Sequence, residues 1–267
     1  MLLSVVVTCY QDSHSLDLVL AGFARQTWQK FDLHVVNDGG ARELSDVADK
    51  YQGQLDIYYH YLEPQTSKFR LAAARNLGIR HCRSDDRILV VDGDCVPARD
   101  LVERHVAYGS QDVVICGRRK HVDQRKVESL SVEIEDLEPF VVADDRRFEM
   151  DFGVYRAMCR LLRTGQRRFE LPHWRAAWGF QQSFPTRRLE QTGGYWERFN
   201  VYGGEDQELA WRMRGAGCKL WADFDCLVYH LDHDQRSLET GYRWIIRESQ
   251  RLGGIQRNGS PLLRRSP

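Results

Sequence analysis

The sequence predicts an α/β fold with a doubly wound, mostly parallel central sheet flanked by helices, and three observations predict it. Apolar runs alternate with helix-period segments through residues 1–117. The runs are apolar at consecutive positions, as strands buried on both faces must be. Three of them stop in polar clusters: Thr8-Cys9-Tyr10, Asn37-Asp38-Gly39-Gly40 and Asp92-Gly93-Asp94. In a parallel sheet the carboxyl ends of the strands line one ligand crevice, so the three clusters are expected at a single edge.

In chain order, "LSVVVTCY" is the first strand, and Leu16, Val19, Leu20 and Phe23 follow at helical spacing. "FDLHVVNDGG" is the second strand, with Gly39-Gly40 permitting a tight turn. "ELSDVADKY" gives a helix, "LDIYYHYL" a third strand, "FRLAAARNLGIRHC" an Ala-rich helix and "RILVV" a fourth strand. "DLVERHVAYG" carries Leu101, Val102, His105 and Val106 on one stripe and stops at Gly109, before a fifth strand in "DVVICG". Residues 118–175 are charged and irregular and read as a variable connecting or lid-like region. Beyond them, "AAWGFQQSF" is strand-like, "GEDQELAWRMRGAG" helical, "CLVYH" a late strand and "SLETGYRWIIRESQRLGG" a C-terminal helix.

Composition narrows the function. Lys plus Arg and Asp plus Glu are both 38 in 267 residues, so the basic excess expected of a duplex nucleic-acid binder is missing. The locally basic "GRRKHVDQRK" and "LLRRSP" read as solvated faces. No apolar run approaches the ~20 residues of a membrane span, and "MLLSVVVTCY" lacks a positive leader and a small-residue cleavage site. Seven cysteines at irregular spacing form neither a disulfide framework nor a CxxC site. The expectation is a cytoplasmic protein, with loose membrane association through the basic patches left open. A P-loop, a G-x-G-x-x-G after the first strand and a G-x-S-x-G elbow are all absent.

What remains is acidic. Asp92 and Asp94 stand one residue apart at a strand end, and burying either is costly unless something positive pairs with it. Two readings are open: a divalent cation bridged to a diphosphate, or a turn before Pro97 that the carboxylates merely cap. The expected partner is a cation rather than a side chain. His230 ends another apolar strand, where a neutral imidazole would complete a metal site and favour Mn²⁺ over Mg²⁺. His233 is the weaker candidate, because strand alternation sends it to the opposite face. Glu205 and Asp206 open a helix after Gly203-Gly204, a place for a general base. The helix dipole stabilises negative charge there and should lower their pKa values, whereas a base works best near the operating pH.

These motifs, together with "QTWQKFDLHVVNDGG", "KFRLAAARNLGI" and "WGFQQSFPTRRLEQTGGYWERFNVYGGEDQELAWRMRGAG", resemble family 2 nucleotide-sugar glycosyltransferases of the GT-A fold. The second half is similar to β-1,4-galactosyltransferases and chondroitin-type polymerases. The resemblance implies one GT-A domain: a nucleotide-sugar-binding half (1–117), the connecting region (118–175) and an acceptor-binding, catalytic half (176–267). It implies a uridine pocket lined by Thr8 and Tyr10, with Asp38 on the uracil and Arg70 reaching the base or diphosphate. Arg75 and Asn76 would support the nucleotide side. Asp92, beside Gly93, would face the ribose and sugar, Asp94 and His230 would hold the metal, and Gly179 and Phe180 would receive the donor sugar. Glu205 would grip the acceptor, Tyr202 would pack on it, and Asp206 would be the base. The implied reaction moves a hexose or N-acetylhexosamine from a UDP-sugar to an acceptor hydroxyl with inversion, using Mn²⁺ or Mg²⁺. The acceptor is left open among carbohydrate, lipid-linked glycan, peptide and small molecule. A retaining N-acetylgalactosaminyl-type transferase and an inactive nucleotide-sugar or carbohydrate-binding module are the alternatives.

Overall fold

A computed structural model describes residues 2–64, 70–142, 164–198 and 203–233, together with 247, 250 and 251. Its centre is a nine-stranded mixed sheet. The strands are β1 (Leu3–Cys9), β2 (Phe31–Asn37), β3 (Asp56–Tyr61), β4 (Arg87–Asp92), β5 (Cys95–Pro97), β6 (Val113–Val122), β7 (Arg168–Glu170), β8 (Gln181–Pro185) and β9 (Lys219–Leu231). Their spatial order is β3-β2-β1-β4-β8-β6-β9-β5, with β7 also on β9. β3, β2, β1 and β4 are parallel neighbours, and β6 and β9 run the same way; β8, β5 and β7 oppose them.

The consecutive apolar residues do what the pattern requires. Val5, Val7, Leu89 and Val91 enter one core and Val6, Ile88 and Val90 the other, one on each face of the sheet. Helices α1 (Ser13–Ala24), α2 (Leu44–Asp49) and α4 (Leu101–Val106) cover the first face through Leu16, Leu44 and Leu101. The short α5 (Gln124–Val127) follows β6. Helices α3 (Leu71–His81), α6 (Thr186–Thr192) and α7 (Glu205–Gly215) cover the second through Ala72, Leu189 and Leu209. Asp12 caps α1 by accepting from the Ser15 amide at 2.9 Å. α3 lies so close to the sheet that a Cβ on Gly78 would stand 2.5 Å from Val6. The small residues of "LAAARNLG" therefore set how deeply this helix sinks.

Several boundaries differ from the sequence reading. The fifth expected strand continues past Gly117 to Val122, and β9 spans 13 residues where only "CLVYH" was anticipated. Cys95–Pro97 and Arg168–Glu170 are short strands that pair with β9, too brief to carry a periodicity. The strand expected in "AAWGFQQSF" starts only at Gln181, behind a 3₁₀ turn at Trp174–Ala176. Most of the C-terminal helix and Tyr202 lie outside the described residues. Six cysteines are described, all free and buried. Among the described residues no helix is long and apolar enough to cross a membrane.

A candidate active site at the carboxyl edge of the sheet

Strand register gathers the three polar clusters. Thr8 pairs with Asp92 across β1 and β4, and Cys9 pairs with Asn37 across β1 and β2. The Gly93 amide donates to the Thr8 carbonyl at 2.9 Å, where a Cβ would stand 2.6 Å from that oxygen, so the turn after Asp92 needs glycine. Thr8 is buried, and its Oγ1 has no hydrogen-bond partner among the described residues; Tyr10, two residues on, is 44% exposed. Asn37, placed in this cluster by the sequence but given no role there, shapes the second turn. Its Oδ1 accepts from the Gly40 amide at 2.7 Å and its Nδ2 donates to Ala41 O and Tyr59 Oη, both at 2.8 Å. Arg70 Nη2 stands 2.9 Å from Asp38 Oδ1, and Arg70 Nη1 donates to Glu63 O at 2.7 Å. Burial raises the Asp38 pKa against the pull of Arg70.

Arg75 and Asn76, expected to support the nucleotide side, are each held by protein partners. Both are fully buried. Arg75 donates through Nη2 to Asp92 Oδ1 at 2.8 Å and through Nη1 to Glu205 Oε1 at 2.9 Å. The positive partner of Asp92 is thus a side chain, contrary to the expectation that the partner of this acidic pair would be a cation rather than a side chain. A guanidinium reaches two carboxylates in one plane, which an ammonium does not. Asn76 closes a ring on the Tyr195 backbone, accepting from its amide and donating to its carbonyl, both at 2.8 Å. Together the pair ties α3 to the second half of the chain. Phe180 O accepts the Asp92 amide at 3.1 Å, and Gly179 O lies 3.4 Å from Arg75 Nη2.

Glu205 and Asp206 open α7 behind Gly204, whose φ is 93°. Glu205 is buried, and its second oxygen has no partner among the described residues. Asp206 is half-buried and faces Gly179, where a Cβ would stand 2.8 Å from Asp206 Cβ. Burial first, then the adjacent Glu205 carboxylate, push the Asp206 pKa up to about 7 against the attraction of Arg75. The expectation that the helix N-terminus would lower it fails, because desolvation of a carboxylate outweighs a terminal dipole worth typically 0.3–1 kcal/mol.

Asp94 sits with two histidines. His230, set beside Cys95 on β5 and His121 on β6, places Nε2 3.6 Å from Asp94 Oδ2. His233 Nε2 lies 3.1 Å from the same oxygen. The opposite-face placement expected of His233 does not hold: β9 ends at Leu231, and past a strand's last residue alternation no longer dictates direction. One carboxylate oxygen and two imidazole nitrogens converge within 4.8 Å, a donor set suited to a borderline divalent cation. Burial raises the Asp94 pKa, but His230 and His233 together bring it well below the usual carboxylate range.

Comparisons with known proteins agree with this architecture. A family model described as "Glycosyl transferase family 2" matches residues 4–167, more than half of the chain. A chondroitin synthase of Pasteurella multocida (strain Pm70) is 26% identical over 253 residues, taking in 89% of this chain and 25% of that protein. A validoxylamine A glucosyltransferase of Streptomyces hygroscopicus subsp. jinggangensis is 28% identical over 228 residues, 82% of this chain and 53% of that one. The chain therefore spans between a quarter and about half the length of these relatives. Among solved structures, S. aureus TarS 1-349 in complex with UDP superposes with a TM-score of 0.62 over 92% of this chain and 63% of that one, at 16% identity. The mannosyltransferase PcManGT of Pyrobaculum calidifontis, in complex with GDP-Man and Mn²⁺, does so with 0.58 over 96% and 63%, also at 16% identity. At that identity the structural likenesses speak for the fold. The family match, which begins in β1 and takes in the Asp92-Gly93-Asp94 turn, says more: this chain is a member of glycosyl transferase family 2.

Proposed function

We propose that the chain transfers a hexose or N-acetylhexosamine from a UDP-sugar to an acceptor hydroxyl in one inverting displacement aided by a divalent cation. The observation that carries this reading is the Asp206 carboxylate, raised to about 7 and set against Gly179 beside the buried Glu205. A group with that pKa, partly exposed, is matched to taking a proton from a hydroxyl near neutral pH. Arg75 holds the geometry together: it joins Asp92, at the end of the strand expected to receive the donor, to Glu205, next to the base. Deprotonation of the acceptor oxygen by Asp206 as it attacks the anomeric carbon, with UDP leaving from the opposite face, inverts that carbon. Glu205 Oε2, buried beside the base, is placed to accept a second hydrogen bond from the acceptor.

Asp94, His230 and His233 fit a cation, since they bring three electron-pair donors to one point. Bound there, a divalent ion supplies neutralisation of the charge that develops on the departing diphosphate. Asp92 pairs with Arg75, and its proposed role is toward the ribose and sugar while Asp94 is proposed to hold the cation. Thr8 and Tyr10 form the walls proposed for the uridine, and Asp38 is proposed to read the base.

Four measurements test this. In a panel of UDP- and GDP-sugars with Mn²⁺, UDP-sugars are expected to raise the melting temperature, by about 2.7 kcal/mol of stabilisation at a hundredfold excess over Kd. Stabilisation by GDP-sugars alone would overturn the role of Asp38. The GDP arm matters because the neighbours of this fold include proteins described with either nucleotide. Asp94→Ala is expected to abolish the Mn²⁺-dependent part of both stabilisation and turnover, and NMR of the product's anomeric proton reads the inversion. Gly179→Ala is expected to lower kcat on the order of 10²-fold with intact UDP binding, because the added methyl displaces Asp206.

A further inference from the structure

The structure assigns Asp232 a positioning role: its carboxylate fixes the tautomer and ring orientation of His230, so that Nε2 is the nitrogen offered to a divalent cation. This rests on the metal reading above. Asp232 follows the last residue of β9, is 6% exposed, and is anchored to β6 by its amide, which donates to Val122 O at 3.2 Å. Its Oδ1 lies 3.0 Å from His230 Nδ1 and within hydrogen-bond reach of His121 Nδ1 as well. A carboxylate only accepts, so both imidazoles carry their proton on Nδ1. The His230 lone pair then sits on Nε2, which faces Asp94 Oδ2 from 3.6 Å, beyond hydrogen-bond distance. Two acceptors held face to face repel unless a cation lies between them.

His121 is part of the same device. It is in register with His230 across β6 and β9, is 7% exposed, and holds the shared carboxylate from the other side. Asp232 is therefore clamped between two rings and the β6 backbone, so His230 is aimed by a rigid group. Outer carboxylates of this kind commonly govern metal affinity by 10–100-fold.

The test uses the full chain. Titration of Mn²⁺ in the presence of UDP, followed by the EPR signal of the free ion, is expected to show binding about 10–100-fold weaker in D232A and none in D94A. D232N, whose amide oxygen still accepts from Nδ1, is expected to lose less, and it guards against misfolding of the alanine variant. Long-range ¹⁵N–¹H spectra of the metal-free protein at pH 8 are expected to show His230 as the Nδ1–H tautomer, shifting toward Nε2–H in D232A. An unchanged Kd in D232A alongside loss in D94A would overturn the positioning role and leave the metal reading standing. So would an Nε2–H tautomer in the wild type. Loss in D232A with binding kept in D94A would put the ion on Asp232 itself and overturn both. No Mn²⁺ binding by the wild type removes the metal reading, and with it this role.

Discussion

Asp206→Asn is expected to lower kcat by about 10²–10⁴-fold, the usual worth of a general base, while UDP binding stays as in the wild type. The substitution is nearly isosteric and removes only the proton-accepting oxygen. The pH dependence carries the sharper signature. A base with its pKa near 7 must be ionised to act, so kcat of the wild type is expected to fall about tenfold per pH unit below about 7 and to level off above it. Any residual activity of the variant is expected to lack that inflection. Undiminished turnover in D206N, or a wild-type profile flat from pH 5 to 8, removes Asp206 as the base.

The same shift has a consequence for stability whose sign is fixed by linkage. The Asp206 carboxyl ionises near 3.9 in the unfolded chain and near 7 in the folded one. Between those values the native state binds more protons than the unfolded state, so stability falls as pH rises through the window. The amide that D206N puts in its place does not titrate. The melting temperature of the variant is therefore expected to exceed that of the wild type at pH 8, with the gap closing as the pH is lowered toward 4. Loss of activity joined to gain of stability is the pattern of a group held in an unfavourable state for function.

How far the sequence reached can be seen in single residues. Thr8, Asn37 and Asp92 were legible as neighbours, because consecutive apolar runs declare parallel strands and parallel strands bring their carboxyl ends to one edge. The register that pairs Thr8 with Asp92 is a finding of the structure. The link from Arg75 to Glu205 was not legible: it joins residues 130 apart in the chain, and periodicity says nothing about which of many arginines turns inward. His233 was misjudged because a period of two was carried past the end of β9 at Leu231. The direction of the Asp206 shift was misjudged because dipole and burial oppose each other there, and only burial depth decides between them. Asp232 carried a signal that was readable in principle, a carboxylate two positions after a candidate metal histidine, but its second partner His121 lies 111 residues away.

Arg75→Met is expected to be the most destabilising substitution in the site, on the order of 3–5 kcal/mol, seen as a large fall in melting temperature or in the urea midpoint at unchanged m. Methionine fills much of the arginine's volume, so the loss is electrostatic: Asp92 and Glu205 remain, with no cation between them. Arg75→Lys is expected to fall between, since one ammonium reaches only one of the two carboxylates at full strength. Burial already raises the Asp92 carboxyl against the pull of Arg75. R75M removes that pull, so ionisation of Asp92 opposes folding more strongly, and the deficit against wild type is expected to be larger near neutral pH and smaller as pH falls toward 4. The triple variant R75M/D92N/E205Q, which removes the charges together, is expected to recover much of the stability but none of the turnover. Recovery of stability assigns the loss in R75M to unpaired charge; no recovery would mean that Arg75 acts through packing against the Tyr195 ring, whose centroid lies 5.1 Å from its guanidinium carbon. Turnover is expected to stay lost in either case. Without the guanidinium, the direct link between the strand that ends in Asp92 and the helix that begins with Glu205 and Asp206 is lost, and an error of about 1 Å between donor and base is enough to cost about 10²-fold in rate.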